Sequence, residues 1–162
     1  MAIRVLSLGH AVPKQVMDQD EACVALGYTG AKARRIFREA AVERRHAWVP
    51  VDLLNKLTWQ EMTEQYKSGA VMLSLGAIQD AMDGYHIQDI KSLTFCSVSG
   101  YTCPSLSYEI AGRMRLADDI VHTNILGQGC QAGLPGLERA YDAVKKSGGL
   151  ALTVATEVCS AS

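Results

Sequence analysis

Short apolar runs alternate along this chain with stretches in which apolar residues recur at helical spacing. The run "IRVLSLGHAVP" sets Val5, Leu6 and Leu8 ahead of Gly9 and Pro13, which predicts a strand ending in a loop. Residues 18–28 and 31–39 predict two short helices, the second crowded with Lys32, Arg34, Arg35 and Arg38. From Trp59 to Met82 a broad apolar face (Met62, Tyr66, Leu73, Ala77 and Ala81, flanked by Met72, Leu75, Ile78 and Met82) predicts a long helix stopped at Asp83-Gly84. Two strand–helix units follow. "SLTFCSV" is a buried strand, and "PSLSYEIAGRMRL" is a helix with Pro104 in its first turn. "IVHTNIL" is the next strand, residues 130–146 the next helix, and "LALTVATEV" the last strand. Such alternation implies an α/β fold, a mainly parallel sheet with helices on both faces.

Composition narrows the possibilities more than it decides them. A chain of 162 residues fits one domain with a real core. A net charge of −1 exerts no general pull on nucleic acid or acidic membranes, so any basic site must be local. No apolar stretch reaches about 18 residues, and the first residues lack the pattern of a secretion signal. Five widely spaced cysteines, Cys23, Cys96, Cys103, Cys130 and Cys159, favour free thiols in a reducing, cytoplasmic setting over a disulfide framework. They lack the close pairing of a zinc site, and no metal is expected.

Candidate chemistry concentrates at "GQGCQAGLPGL", residues 127–137, where the third strand is to turn into a helix. A thiol there meets the free amides of a helix start, which favour a thiolate. Gly127, Gly129 and Gly133 permit a sharp turn and close substrate approach. The turn lies at the carboxyl end of a parallel sheet, where such sheets place their sites. Together these make a nucleophile elbow built for sulfur, with Cys130 at its tip. Cysteine is more often a buried small hydrophobe, and Cys23 and Cys159 fit that description. A dinucleotide-binding turn is the rival for the same glycines, with Glu157 as its ribose-binding acid. It fails on spacing, since Ala132 stands where the third glycine belongs and Glu157 comes about ten residues late.

The segment from "FCSVSGYTCPSLSYEIAGRMRL" through "NILGQGCQAGLPGLERAYD" to "LALTVATEVCSAS" resembles the thiolase-fold condensing enzymes, above all the type III polyketide synthases of chalcone synthase type. "AAVERRHAWVP" and the long helix from Trp59 resemble that family as well. The resemblance implies a thiolase-like fold, with residues 1–162 as the N-terminal, cysteine-bearing domain and the C-terminal domain absent. It implies that Cys130 takes a starter acyl group from an acyl-CoA and that malonyl-CoA extends it by decarboxylative condensation. Coenzyme A thioesters are then substrates, and no cofactor is expected.

Carried over by position, Lys32 and Arg35 hold coenzyme A phosphates, while a third basic position falls on Glu39, next to Arg38. Ser99 faces the initiation cavity, and Cys103 reaches into a neighbouring subunit. The family's catalytic histidine and asparagine lie in its second half, and none of His10, His46, His86 or His122 occupies a matching motif. The chain is therefore expected to be a fragment of a homodimeric enzyme or a subunit whose partner supplies those residues. A non-catalytic acyl-binding relative, or a fatty-acid-type β-ketoacyl synthase using carrier-protein thioesters, stays open at this stage.

Overall fold

The computed structural model describes residues 2–161. An antiparallel pair comes first, β1 (Gln15–Asp18) against β2 (Arg44–Ala47), with Gln15 opposite Ala47 and Asp18 opposite Arg44. Between them run α1 (Gln19–Ala25) and α2 (Ala31–Glu39). α1 opens with a capping box in which Asp18 and Glu21 each satisfy the other's backbone amide. The long helix α3 (Trp59–Ala81) opens the same way with Thr58 and Glu61. Those bonds hold the Glu61 carboxyl below its ordinary range, because they favour its ionised form.

The main sheet has three parallel strands, β3 (Ile90–Ser97), β4 (Val121–Leu126) and β5 (Leu150–Ala155), in the order β4-β3-β5. Phe95 of the central strand stands opposite Asn124 on one side and Val154 on the other. Seven of its eight residues are buried, the near-continuous burial expected of a strand covered on both faces. α4 (Leu106–Met114) follows β3, and α5 (Gly133–Ser147) follows β4.

The two faces of this sheet are built differently. α3 and α4 cover the face carrying Leu93, Phe95 and Val154, which pack with Tyr66, Ile78 and Ile110 in the principal core. α5 covers the opposite face, against Thr94, Cys96 and Thr153. A Cβ on Gly136 of α5 would lie 2.9 Å from the Cys96 Sγ and 3.0 Å from the Thr153 Cγ2. Glycine at that position is what lets the helix backbone approach so closely.

The chain closes on itself beyond β5. The Ser160 Oγ accepts from the Trp48 N–H at 3.0 Å and the Val49 N–H at 3.3 Å, tying the end of the described chain to the exit of β2. In the buried layer beneath, the Ser74 and Thr156 hydroxyls share a hydrogen bond of 2.7 Å.

Five local expectations change. Cys23 is buried as expected. Cys159, expected to pack as a small hydrophobe, is exposed, because it opens a 3-10 turn beyond β5 instead of lying within the sheet. The "IRVLSLGHAVP" segment forms no strand, and Val5 and Leu8 are 66% and 86% exposed. It lies extended along α3, with Gly9 against Ala77 and Ala81, and with the His10 N–H donating to Asp80 at 3.0 Å. A strand needs a hydrogen-bonded neighbour, and the described residues place none beside it. Pro104 precedes its helix and does not open it, because Ser105 is the N-cap and its Oγ accepts from the Ser107 N–H. The helix expected over 130–146 divides into a 3-10 turn at Gly129–Ala132 and the α-helix from Gly133. The β1–β2 pair was not expected at all, since four-residue strands carry too little alternation to register.

Candidate active site

β4 delivers the chain to the site. Its last residue, Leu126, is followed by Gly127 at φ +74°, and Gly129 stands at φ +64°. Two left-handed residues within three positions turn the backbone sharply at low cost only because both are glycine. Cys130 comes next, exposed, inside the 3-10 turn that runs directly into α5. The third glycine of the motif behaves otherwise. Gly133 has ordinary helical geometry as the first residue of α5, so the turn makes no conformational demand there.

A second thiol lies beneath this turn. Cys96 of β3 is buried, and its Sγ donates to the Ala132 carbonyl at 3.4 Å. Burial pushes its thiol up from the usual range, with the Glu157 charge acting in the same direction. Cys96 therefore stays a neutral packing group under the floor of the turn, while Cys130 meets solvent.

The loop after β3 is held by a residue that sequence reading considered only as a rejected ribose ligand. The Glu157 carboxylate accepts from the Val98 N–H at 2.9 and 3.1 Å and from the Ser99 N–H at 2.8 Å. In return the Ser99 Oγ accepts from the Val158 N–H at 2.8 Å. Loop and post-β5 segment are thus latched from both sides, with charge-assisted bonds carrying most of the strength. A lone acidic residue at the end of a predicted strand was the available signal, and it was uninterpretable without the neighbouring strand's register.

Ser99 accordingly spends its hydroxyl on the latch. Tyr101 and Cys103 stand exposed farther along the loop, and the Cys103–Pro104 peptide is cis. Below the loop, the Tyr66 hydroxyl donates to the Ser97 Oγ at 2.9 Å. Burial raises the Tyr66 pKa, so this phenol is a neutral donor there.

His122 lies on the α4 face of β4, its ring stacked on Tyr108 with centroids 4.4 Å apart. Its Nδ1 is buried without a hydrogen-bond partner, and burial lowers its pKa. Nothing in this placement directs it toward the sulfur.

Lys32 and Arg35 sit on α2, in the β1–β2 lobe and outside the loop-and-turn cluster of Cys130. Arg35 donates through Nε to Glu39 at 2.7 Å, and Arg38 forks onto Asp20 of α1 at 2.8 and 3.1 Å. The Arg38 bond holds the Asp20 carboxyl below its ordinary range. A groove beside α1, lined in part by Val16, Val24, Asp20, Asp52 and Leu54, includes neither Cys130 nor the 98–104 loop.

The chain is similar to known proteins along most of its length. A 3,5-dihydroxyphenylacetyl-CoA synthase from Streptomyces toyocaensis is 27% identical over 98% of this chain and 42% of its own length. A phloroglucinol synthase from Pseudomonas fluorescens is 30% identical over 69% of this chain and 33% of its own. The crystal structure of 1,3,6,8-tetrahydroxynaphthalene synthase from Streptomyces coelicolor, a bacterial type III polyketide synthase, superposes with a TM-score of 0.83 at 25% identity. It covers 96% of this chain with 49% of its own. The chain thus spans less than half the length of these relatives. Residues 2–161 match the family described as chalcone and stilbene synthases, N-terminal domain. With that match over nearly its whole length, the chain belongs to the chalcone and stilbene synthase family, the type III polyketide synthases, as their N-terminal domain.

Proposed function

We propose that this chain is the nucleophile-bearing part of a type III polyketide synthase and that Cys130 is its acyl acceptor. The observation carrying this reading is an exposed thiol on a double-glycine turn at the carboxyl end of a parallel strand, immediately before a helix. The Cys130 thiolate attacks the thioester carbonyl of an acyl-CoA. The new S–C bond forms as the coenzyme A thiolate departs and takes up a proton. Malonyl-CoA then loses carbon dioxide, its carbanion attacks the enzyme-bound thioester, and the Cys130 thiolate is released with the chain lengthened on coenzyme A. The histidine and asparagine that polarise malonyl-CoA belong to the remaining half of the relatives' length or to a second subunit.

The same reading places Lys32 and Arg35 at the coenzyme A phosphates, and Cys103 at a boundary with a neighbouring copy. A guanidinium and an ammonium suit phosphate recognition, and the exposure of Tyr101 and Cys103 suits a projecting loop. Partners are then acyl-CoA and malonyl-CoA, a homodimer is the working assembly, and the cytoplasm is the compartment. Among the described residues, no helix is long and apolar enough to cross a membrane. The family match leaves the fatty-acid-type reading without support.

Incubation with a panel of acyl-CoAs followed by intact-mass measurement tests the central step. One acyl mass should appear on the chain and vanish in Cys130→Ala. A folded sample that takes up no acyl group from any donor overturns the proposal.

A further inference from the structure

The departure at Glu39 has a chemical consequence that rests on the coenzyme A reading of α2. Glu39 follows Lys32 by seven residues and Arg35 by four, so all three project from one side of the helix. Its Oε1 takes the Arg35 Nε–H at 2.7 Å, and both side chains are exposed. The adjacent Arg38 points elsewhere, committed to Asp20 of α1. Lys32 makes no ion pair among the described residues. One side of α2 therefore carries an uncommitted cation, a cation already engaged, and a carboxylate one turn beyond.

We propose that Glu39 is a specificity-determining residue, a resident competitor that holds Arg35 until a phosphate displaces it and then weakens the bound phosphate by its charge. A guanidinium receives carboxylate and phosphate through the same fork of N–H groups, so the two acceptors exclude each other at Nε. A phosphate monoester carries between one and two charges near neutral pH, more than a carboxylate, and the exposed pair it must break is weak. Displacement is therefore easy. The displaced carboxylate stays tethered within one helical turn, about 5–6 Å, which is less than a Debye length of about 8–10 Å, so its repulsion of the anion is only partly screened. The affinity of this surface for phosphate-rich acyl carriers is set below what Lys32 and Arg35 alone supply, while the phosphate-free pantetheine arm is unaffected.

Calorimetric titration with coenzyme A and with pantetheine, on wild type, Glu39→Gln, Arg35→Gln and Lys32→Gln, tests this. Glu39→Gln should tighten coenzyme A by about three- to tenfold at low salt, leave pantetheine unchanged, and lose most of its advantage at about 0.5 M salt. Arg35→Gln should weaken coenzyme A. If Glu39→Gln stays within twofold of wild type, or tightens both ligands alike, while Arg35→Gln weakens coenzyme A, the competitor role is overturned and the α2 site stands. If coenzyme A does not bind, or binds regardless of Arg35 and Lys32, the α2 reading itself fails and Glu39 falls with it.

Discussion

The two faces of the β4-β3-β5 sheet solve the same problem in opposite ways. Beneath α3 and α4, large side chains fill the space: Leu93, Phe95, Tyr66 and Ile110 are each at most 2% exposed. Beneath α5, the strands offer Thr94, Cys96 and Thr153, and the helix replies with a glycine. The first face gains stability from volume, the second from proximity, and only the second fixes where a backbone turn will sit. α5 also carries Leu134, Leu137 and Tyr141 on its outer side, 73%, 51% and 50% exposed. At spacings of three and four residues these make one apolar stripe, so α5 is a helix with two apolar sides where α4 has one.

The sharpest way to break this contrast is to empty the bulky face. Phe95→Ala should cost about 3–5 kcal/mol in urea unfolding, because a large void opens where neighbours cannot collapse. Filling the close face should cost less and do something different. Gly136→Val should destabilise by about 1–3 kcal/mol and also change the alkylation rate of Cys130, since lifting α5 moves the turn preceding it. A Gly136→Val protein with unaltered Cys130 reactivity would separate the nucleophile's position from helix–sheet distance.

A smaller, pH-dependent effect comes from His122. Burial lowers its folded pKa below the ordinary 6.5, so the unfolded chain binds more protons in the interval between the two values. Stability should be complete above about 6.5 and decline as pH falls toward the lowered folded value. His122→Phe, which keeps a ring against Tyr108, should flatten that decline in thermal melts recorded across the interval. The smallest effect is expected on the outer side of α5. Leu134→Ser should leave stability within about 0.5 kcal/mol while reducing self-association in light scattering. A large loss of stability there would mean that the stripe already has a partner within the chain.

Sequence reading captured the elements whose pattern is long or sharply punctuated. α2 and α3 fall where helical spacing put them, to within a residue, and β3, β4 and β5 each overlap a predicted run. The cysteine turn was legible because positive-φ glycines and a thiol leave a compositional mark. Three kinds of information left no such mark. Residues 5–8 have strand composition, but pairing depends on a neighbour that local pattern does not encode. Gly136 reads as an ordinary helix blemish until the sheet beneath it is seen. Glu157 acts on Val98 and Ser99 from 59 and 58 residues away, a relation fixed only by strand order.

The clasp at Ser160 bears on the order in which the molecule can be assembled. Its partners, Trp48 and Val49, lie 112 and 111 residues earlier in the chain. A ribosome adding about 5–20 residues per second emits the serine several seconds after the tryptophan. For that interval the β1–β2 lobe must persist without its anchor, sheltered by local contacts or by a chaperone. Closing so long a loop is entropically expensive, so the lobe is expected to dock last and to be the first part to come loose on gentle unfolding.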